Sequence, residues 1–453
     1  MGNISVEQAA RWCGGRFDPK YAGVTFLGAN NDTRKLRPGQ LFVALQGARD
    51  GHEFISAALE RGAAAVLCSR CDGDYPAVVV DDPRRALGDI ARQERKRIGM
   101  QVIGVTGSVG KSTTKEMIAC VLEGSFRVEK TPANHNNDIG MPMAILAMPE
   151  DTQIAVLEMG MNHFGEIAYL TSIARPDLAV IVNVGTMHIE NLGSKEGILR
   201  AKMEIVEGMQ EGGTIILNGD DALLWSQRKL QRVKPKFFGV DNKDVFCHGD
   251  QIAMSEGVLR LRVSCGGSSF PVELALEGKH YASDALAAAA VGMTMGVEPE
   301  KIRERLAQFR NMAGRQEIFT YGEYTIIKDC YNAGPESMEA ALHVLGNRQG
   351  RRVAVLGDML ELGVCSAAEH YRIGRIAAQN VQLLLAYGPN ASRVVNGAVT
   401  GGMQESRAKL FDDRQKMARY LKCNVKPGDT ILFKGSRGMQ MELVLEAFLK
   451  EET

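Results

Sequence analysis

The chain has 453 residues, which is too long for one hydrophobic core and favours about three domains. Its 54 basic and 54 acidic residues balance, which excludes a global charge excess toward nucleic acid or an anionic membrane. The N-terminal MGNISVEQAARWCGG lacks the apolar segment of a signal peptide, and the most apolar window, DALAAAAVGMTMGV, is too short to span a bilayer. We therefore predict a cytoplasmic protein without membrane insertion, whose nine cysteines are reduced. Cys68 and Cys71 form a lone CxxC, which lacks the four ligands of a zinc site.

Short apolar runs alternate with helical stretches along the chain. Most runs are bounded by glycine or by Asp or Asn, which favours strands. This alternation predicts βαβ units, and therefore an α/β fold with parallel sheets covered by helices. The runs are Gln101–Val105, Ile154–Leu157, Leu178–Val182, Thr214–Leu217, Arg352–Leu356, Leu383–Tyr387 and Thr430–Phe433.

Two connections divide the chain. The segment ARQERKRIGM is typical of the end of a helix before a new strand. The segment NMAGR follows a predicted helix and precedes the strand-like EYTIIKDC. The predicted domains are residues 1–98, a small α/β unit, residues 99–311, and residues 312–453. Within the second, residues 241–271 are strand-like with glycines and predict an antiparallel appendage.

The segment VTGSVGKSTTK lies where a predicted strand turns into a predicted helix. Its glycines allow backbone N–H groups to converge on phosphate oxygens, and the helix N-terminus favours anions. The lysine of such a loop reaches the β- and γ-phosphates, and the hydroxyl after it binds Mg²⁺. The phosphate-binding candidates are Gly107, Ser108, Val109, Gly110, Lys111, Ser112 and Thr113.

The loop departs from the strict GxxxxGK[ST] pattern, because residue 105 is valine and glycine stands at 104 and 107. A plain glycine turn or a dinucleotide-binding fingerprint are the alternatives. The GKS ending after an apolar strand favours a nucleoside triphosphate over both. We therefore predict a P-loop ATPase domain at residues 99–311.

Polar residues follow the neighbouring strands. The strand of IAVLEMG ends in Glu158, where a metal ligand belongs, and Asn183 and His188 follow the next strand. A histidine in such a loop can equally be structural. The loop TPANHNNDIGMP holds Asn134, Asn136 and Asn137, which suit a polar substrate or an ordinary turn.

Taken together, these motifs resemble the Mur ligases of peptidoglycan synthesis over nearly the whole chain. The resemblance implies a central P-loop parallel-sheet ATPase domain, a C-terminal Rossmann-like domain and an N-terminal domain that binds the UDP part of the precursor. The matching segments are DTRKLRPGQLFVALQGARDGHEF, TGSVGKSTTK, TPANHNNDIGMP, LEMGMNHFGEI, NVGTMHIENLGSKEGILRAKMEI, GRQE, DCYNAGPESM, GDMLELG with His370 following, and FKGSRGMQME.

The resemblance implies ATP-dependent amide-bond formation through an acyl phosphate. The Asn-rich loop and YNAGP favour joining D-alanyl-D-alanine to UDP-N-acetylmuramoyl-tripeptide, and the DNPR motif of the diamino-acid-adding members is absent. The implied state is a monomer. Alternatives are another ligase of the superfamily, adding a diamino acid or resembling folylpolyglutamate synthase, a P-loop switch ATPase, or a non-catalytic precursor-binding module.

The resemblance also assigns roles to residues. Lys111, Lys202, His188 and Glu158 are the implied catalytic residues, and Ser112, Glu158, His188 and Lys202 the implied ligands of two Mg²⁺ ions. Lys202 matches a lysine that is carbamylated in the family. The residue pattern alone is typical of a solvated helix lysine, so this role depends entirely on the resemblance.

The remaining implied contacts are to ATP and to the peptide substrates. Tyr281 and Asp284 replace both asparagines of a family segment tied to the adenine, which puts that contact in doubt. The ATP candidates outside the loop are His280, Asp284, Arg315 and Asp329. The substrate candidates, besides the three asparagines above, are Thr33, Arg34, Gly47, Arg49 and His52 for the UDP moiety, and Tyr331, Asn332, Ser337, Lys434, Ser436 and Arg437 in the last domain.

Overall fold

A computed structural model describes residues 3–450. Strands and helices alternate throughout this range, and most neighbouring strands are parallel. The predicted α/β class is therefore confirmed. None of the helices between residues 3 and 450 combines the length and apolar character that a bilayer crossing needs.

The N-terminal part contains four strands in the order β3-β4-β5-β6, all parallel, and a separate antiparallel pair, β1-β2. Helix α1 begins after Ser5, whose Oγ accepts a hydrogen bond from the Gln8 N–H, and it ends at the left-handed Gly14. The elements are β1 (Ile4–Ser5), α1 (Val6–Cys13), β2 (Thr25–Phe26), β3 (Ala29–Asn30), β4 (Leu41–Val43), α2 (Ile55–Glu60), β5 (Ala65–Cys68), β6 (Ala77–Val79) and α3 (Pro83–Ile98).

The central part is built on a nine-stranded sheet of order β15-β14-β13-β12-β11-β10-β7-β9-β8. Its middle strands are buried on both faces, which explains why they appear as continuous apolar runs. The elements are β7 (Gln101–Thr106), α4 (Lys111–Leu122), β8 (Val128–Lys130), α5 (Gly140–Leu146), β9 (Ile154–Glu158), α6 (Glu166–Ala174), β10 (Leu178–Ile181), α7 (Ile189–Leu192), α8 (Lys195–Met203), β11 (Thr214–Asn218), α9 (Ala222–Trp225), β12 (Lys234–Gly239), β13 (Cys247–Ser255), β14 (Val258–Cys265), β15 (Ser268–Leu274), α10 (Tyr281–Thr294) and α11 (Pro299–Gln308).

The C-terminal part contains a six-stranded sheet of order β16-β17-β21-β18-β19-β20, in which only β16 and β17 pair antiparallel. Helices pack on both faces of this sheet and form two apolar clusters with it. The elements are β16 (Glu317–Tyr321), β17 (Tyr324–Asp329), α12 (Pro335–Gly346), β18 (Arg352–Gly357), α13 (Ser366–Asn380), β19 (Leu383–Tyr387), α14 (Ala391–Thr400), β20 (Ala408–Phe411), α15 (Arg414–Asn424), β21 (Thr430–Lys434) and α16 (Glu442–Leu449).

Two features differ from the sequence interpretation. Residues 241–271 contain antiparallel strands, as predicted, but β13, β14 and β15 extend the central sheet through the β12–β13 pairing and do not form an appendage to it. Strand β16 was not predicted, and it forms a hairpin with β17. Its short, half-exposed run lacks the continuous apolar pattern of the buried strands.

The predicted domain boundaries fall in two connections. Helix α3 ends at Ile98 before β7 begins at Gln101, and α11 ends at Gln308 before β16 begins at Glu317. The limits at 98/99 and 311/312 stay predictions, and we use them to name the three domains below.

The order β10-β7-β9 in the central sheet positions the site. Parallel strands present their carboxyl ends at one edge, and the loops leaving β7, β9 and β10 meet there. The P-loop leaves β7 between Glu158, which ends β9, and Asn183, which follows β10. The sheet therefore brings together three segments that are far apart in sequence.

Candidate active site

A cavity of about 1190 Å³ opens at this edge of the central sheet, and its walls come from all three domains. Arg84 and Arg85 contribute from the N-terminal domain, and Arg315 and Lys434 from the C-terminal domain. The central domain provides the P-loop and the ends of its neighbouring strands. The predicted site residues that line the cavity are Ser108, Val109, Gly110, Lys111, Ser112, Thr113, Asn136, Asn137, Glu158, His188, His280, Asp284, Arg315, Asp329, Tyr331, Asn332, Ser337 and Lys434.

The P-loop turns tightly into α4. Gly110 has φ +85°, a left-handed conformation that favours glycine, and a Cβ there would lie 2.9 Å from Asp284 Oδ1. Lys111 Nζ donates to the carbonyl oxygens of Gly107 at 2.7 Å and Ser108 at 3.1 Å, which holds the ammonium within the loop. The loop therefore directs a cation and a helix N-terminus at the cavity.

Asn183 supports the P-loop, a role that the sequence did not reveal. Its Oδ1 accepts the backbone N–H groups of Ser108 at 3.0 Å and Val109 at 2.9 Å, and its Nδ2 donates to the Val109 carbonyl at 2.9 Å. Those two amides are thus engaged within the protein. The amides at the start of α4 remain the natural phosphate donors.

One carboxylate oxygen of Glu158 is buried without a hydrogen-bond partner in the described residues. Its Oε1 accepts a hydrogen bond from Asn136 Nδ2 at 2.9 Å, whereas Oε2 has no hydrogen-bond partner among residues 3–450. The nearest cation, Lys115 Nζ, is 3.9 Å from Oε2 and donates instead to the Thr131 carbonyl. A buried carboxylate oxygen in this condition is suited to a cation in the cavity.

Lys202 is not the solvated helix lysine that its sequence pattern suggested. It lies in α8 but is only 1% exposed, and no acidic side chain pairs with it in the described part of the chain. Burial, with the charge of Lys111 nearby, lowers the pKa of the Lys202 amine well below its ordinary value. Burial also lowers the pKa of Lys111. The pattern missed this because helical periodicity does not show that α6, α7 and α9 pack against α8.

His188 follows β10 in a left-handed conformation, at φ +63°. Its Nδ1 lies 2.5 Å from Oε2 of Glu361, which belongs to the C-terminal domain, and its ring lines the cavity. The imidazole lowers the pKa of Glu361. The C-terminal domain therefore contacts the candidate metal ligand directly.

Several C-terminal candidates form one polar cluster. Arg315 donates to Ser112 Oγ at 2.8 Å, and its guanidinium stacks 4.1 Å from the centre of the Tyr331 ring. Lys434 is buried and pairs with Asp329 at 2.6 Å, while also donating to the Asn332 carbonyl at 3.1 Å. These contacts fix cationic groups opposite the P-loop.

Other C-terminal candidates have structural contacts. Ser337 Oγ donates to the Gly334 carbonyl and accepts its N–H, so it caps α12. Ser436 is buried and donates to the Ala333 carbonyl, which joins two loops. Arg437 is exposed and pairs with Glu442 at 2.8 Å. Neither Ser436 nor Arg437 lines the cavity.

The two departures from the family segment lie below the P-loop. Asp284 is buried and accepts a hydrogen bond from Thr114 Oγ1 at 2.7 Å, and burial raises its pKa to about 7. The buried Tyr281 hydroxyl donates to Gln316 Oε1 and accepts from Asn311 Nδ2 at 2.8 Å, across the connection between domains. His280 is exposed and lines the cavity beside them.

Replacing Asp284 by asparagine is expected to stabilise the protein increasingly as the pH rises from about 4 to about 7. A carboxyl whose pKa is raised in the folded state, from 3.8 to about 7, binds more protons when folded, so its contribution is lost as pH rises through that window. Asparagine does not ionise and can still accept from Thr114. The gain in unfolding free energy should grow between pH 4 and 8 to about 4 kcal/mol.

Thermal melts of the wild type and Asp284→Asn at pH 4, 6 and 8 check this expectation. The exposed Asp244→Asn is the control and should leave the pH dependence unchanged. A constant offset between Asp284→Asn and wild type over this range would contradict a raised pKa.

The UDP candidates of the N-terminal domain lie away from the cavity lining. Arg34 is exposed and forms a two-pronged pair with Asp32 at 2.8 and 2.9 Å. His52 Nδ1 contacts Asp50 Oδ1 at 2.6 Å, and its Nε2 accepts the Ser69 N–H. The remaining candidates, Thr33, Gly47 and Arg49, are half-buried or exposed in the same domain.

The three asparagines of the Asn-rich loop make different contacts. Asn136 holds Glu158, as described above, and Asn137 Oδ1 accepts the N–H groups of Ile139 and Gly140 at the start of α5. Asn134 is exposed and does not line the cavity. Asp138 pairs with Arg84 at 3.1 Å, so this loop also contacts the N-terminal domain.

Comparison with known proteins identifies the chain's relatives. Three family models match it, described as "Mur ligase family, catalytic domain" over residues 24–95, "Mur ligase middle domain" over 105–292 and "Mur ligase, glutamate ligase domain" over 314–437. The UDP-N-acetylmuramoyl-tripeptide–D-alanyl-D-alanine ligase of Bacillus subtilis is 38% identical over 442 residues, which are 96% of this chain and 95% of the relative.

Solved structures agree with these matches. MurF from Acinetobacter baumannii superposes with a TM-score of 0.91 at 30% identity, covering 100% of both chains. MurF from Thermotoga maritima, in complex with ADP, has a TM-score of 0.82 at 32% identity, covering 94% of this chain and 97% of that one. The sequence matches extend over the P-loop, the Glu158 strand and the C-terminal cluster alike. The chain therefore belongs to the Mur ligase family.

Proposed function

We propose that the protein joins D-alanyl-D-alanine to UDP-N-acetylmuramoyl-tripeptide and converts ATP to ADP and phosphate as the amide bond forms. It is an ATP-dependent amide-bond ligase that forms the UDP-muramoyl-pentapeptide. The full-length similarity to a ligase of that name supports these substrates. The observation that best supports this chemistry is that Lys111 of the P-loop lies near Glu158, whose buried Oε2 has no hydrogen-bond partner in residues 3–450.

The reaction begins on the tripeptide's terminal carboxylate. A carboxylate is a poor electrophile, and its attack on the γ-phosphate of ATP gives an acyl phosphate with a good leaving group. Two anions must approach each other in this step, so cations are required. Lys111 supplies one from the P-loop, and Arg315 supplies another from across the cavity. The α4 amides bind the phosphate oxygens.

The residues present fit magnesium. No cluster of three His, Cys, Asp or Glu side chains suited to a metal occurs in residues 3–450. Mg²⁺ at nucleotide sites needs only one or two protein ligands, because phosphates and water complete its shell. We propose that Ser112 and Glu158 hold one ion and His188 a second. When bound, the ions neutralise charge on the transferred phosphoryl group.

Lys202 fits a carbamate better than an ammonium. A buried ammonium near Lys111 is unfavourable, and the lowered pKa favours the neutral amine that reacts with carbon dioxide. The product is an anion, which would sit favourably near Lys111 and a metal ion. We propose that Lys202 is carbamylated and that its carbamate helps to hold the second ion.

The second half of the reaction uses the C-terminal domain. The D-alanyl-D-alanine amine attacks the acyl phosphate carbon, a tetrahedral intermediate forms, and phosphate leaves as the amide bond closes. We propose that the cluster of Tyr331, Asn332 and the Asp329–Lys434 pair binds the dipeptide and part of the nucleotide. The N-terminal domain binds the UDP moiety, and the three domains shield the acyl phosphate from water.

A phosphate-release assay tests this function. Phosphate should appear only when ATP, UDP-N-acetylmuramoyl-tripeptide and D-alanyl-D-alanine are all present. With ¹⁸O in the tripeptide's terminal carboxylate, one label should be found in the released phosphate. Release that requires a diamino acid or glutamate, and ignores D-alanyl-D-alanine, would favour another ligase of the superfamily. Hydrolysis without any peptide would favour a switch ATPase.

The cellular compartment and the oligomeric state of the enzyme are also proposals. All nine cysteines are free thiols, and several are buried, which suits a reducing compartment. We propose that the enzyme acts in the cytoplasm as a monomer on small-molecule substrates, without nucleic acid and without membrane insertion.

A further inference from the structure

The loop that follows β10 is held by the C-terminal domain at two points. Glu336, in the first turn of α12, accepts hydrogen bonds at Oε1 from the Thr186 backbone N–H and hydroxyl, both at 3.0 Å. Two residues along the same loop, the His188 ring contacts Glu361, 2.5 Å from Nδ1 to Oε2. Both contacts pair a carboxylate of one domain with a polar group of another.

The Glu361 contact distinguishes the two ring nitrogens of His188. Nδ1 lies 2.5 Å from the carboxylate, although it is not aligned for a hydrogen bond with any group in residues 3–450, and Nε2 is the nitrogen left to a ligand in the cavity that the ring lines. A neutral imidazole with its proton on Nδ1 has its lone pair on Nε2. This is the arrangement in which a histidine binds a metal while a carboxylate orients it.

The backbone at both residues supports a specific role for the contact. His188 has φ +63° and Glu361 has φ +62°, and neither is glycine. Left-handed backbone costs free energy for such residues and persists where the surroundings determine it. Two such residues therefore meet at one contact between domains.

We propose that Glu361 is a positioning residue for His188, and that the second metal site is completed only when the C-terminal domain is docked. This inference rests on the proposed function, because that function requires a metal at His188. Glu361 itself touches no substrate. It would link docking of the domain that binds the dipeptide to assembly of the metal site in the central domain.

Manganese binding tests the proposal without either peptide. The wild type is titrated with Mn²⁺ in the presence of an ATP analogue with a methylene bridge between its β- and γ-phosphates, and bound metal is followed by electron paramagnetic resonance. Glu361→Gln should weaken the weaker Mn²⁺ site about 10- to 100-fold and leave the tighter one within about twofold. Unchanged affinity at both sites would overturn the proposal.

Two further variants separate positioning from docking. Glu190→Gln makes the same charge change two residues beyond His188, on an exposed side chain without an ion pair among the described residues, and should behave as wild type. Glu336→Ala removes the acceptor of both Thr186 hydrogen bonds, and thus the other docking contact, without touching His188. If it weakens Mn²⁺ as much as Glu361→Gln does, the effect is docking alone and the positioning role is wrong.

A spectroscopic measurement on metal-free protein distinguishes a lost positioning role from misfolding, which would also abolish metal binding. The chain has eight histidines, so ¹⁵N-histidine spectra can be assigned with His188→Gln. In metal-free wild type, His188 should be the Nδ1-protonated tautomer, and Glu361→Gln should change that signal more than the signal of His163, the other histidine whose charge acts on Glu361. An Nε2-protonated His188 in wild type would overturn the proposal. The wild-type phosphate-release assay reports separately on the proposed function.

Discussion

Replacing Lys111 by alanine is expected to lower kcat/KM by about a hundred- to a thousandfold. The ammonium is held in the P-loop by two carbonyl oxygens, at the place where we propose that the phosphates bind. Its loss removes a cation from a step in which two anions approach. Steady-state phosphate release with both peptide substrates measures the effect.

The control for this experiment is Lys195→Ala, an exposed lysine at the start of α8, which should retain wild-type rates. Nucleotide binding by Lys111→Ala, followed by fluorescence, should weaken much less than turnover. Wild-type turnover in Lys111→Ala would contradict the ligase mechanism and favour a non-catalytic precursor-binding module.

Replacing Lys202 by alanine is expected to lower kcat by about a hundredfold or more, a loss like that of an outer ligand or positioning group at a metal site. The buried amine has no carboxylate partner in the described residues, so its role depends on the anion that carbon dioxide makes of it. Acetate or another short carboxylic acid should restore part of the activity of Lys202→Ala, because it supplies an anion at the same place.

The matched variant again is Lys195→Ala, on the same helix, which should neither lose activity nor respond to acetate. Mass spectrometry under native conditions gives a second measurement, because a carbamate adds 44 Da to the wild type and not to Lys202→Ala. Undiminished turnover in Lys202→Ala would rule out the carbamate role.

The sequence was sufficient for the fold class and for the P-loop because both are local. Strand runs, glycine turns and the GKS ending depend on neighbours in the chain, and Glu158 could be placed because it ends a strand beside β7. The order of the strands then brings these segments together. The roles of the individual site residues came from the resemblance across the whole chain, because no single segment indicates them.

Contacts between distant segments could not be predicted in this way. Asn183 was noticed as a strand-end residue, but its bracing of the P-loop depends on β10 lying next to β7. Glu336 and Glu361 lie in the matching segments DCYNAGPESM and GDMLELG, but the sequence did not indicate their contacts, since a carboxylate that meets another domain looks like any surface acid. Lys202 was misjudged for the same reason, because its burial depends on three-dimensional packing.

The cavity walls have a consequence for inhibitor design. Arg85, Glu158 and Lys434 line one space, but they lie on α3, β9 and β21 in three different domains. A rigid compound that reaches from the arginine to the lysine would fix the spacing of all three domains and so act as a wedge against catalytic motion. Its potency would come from fixing the three domains relative to one another, even if it imitated neither nucleotide nor peptide.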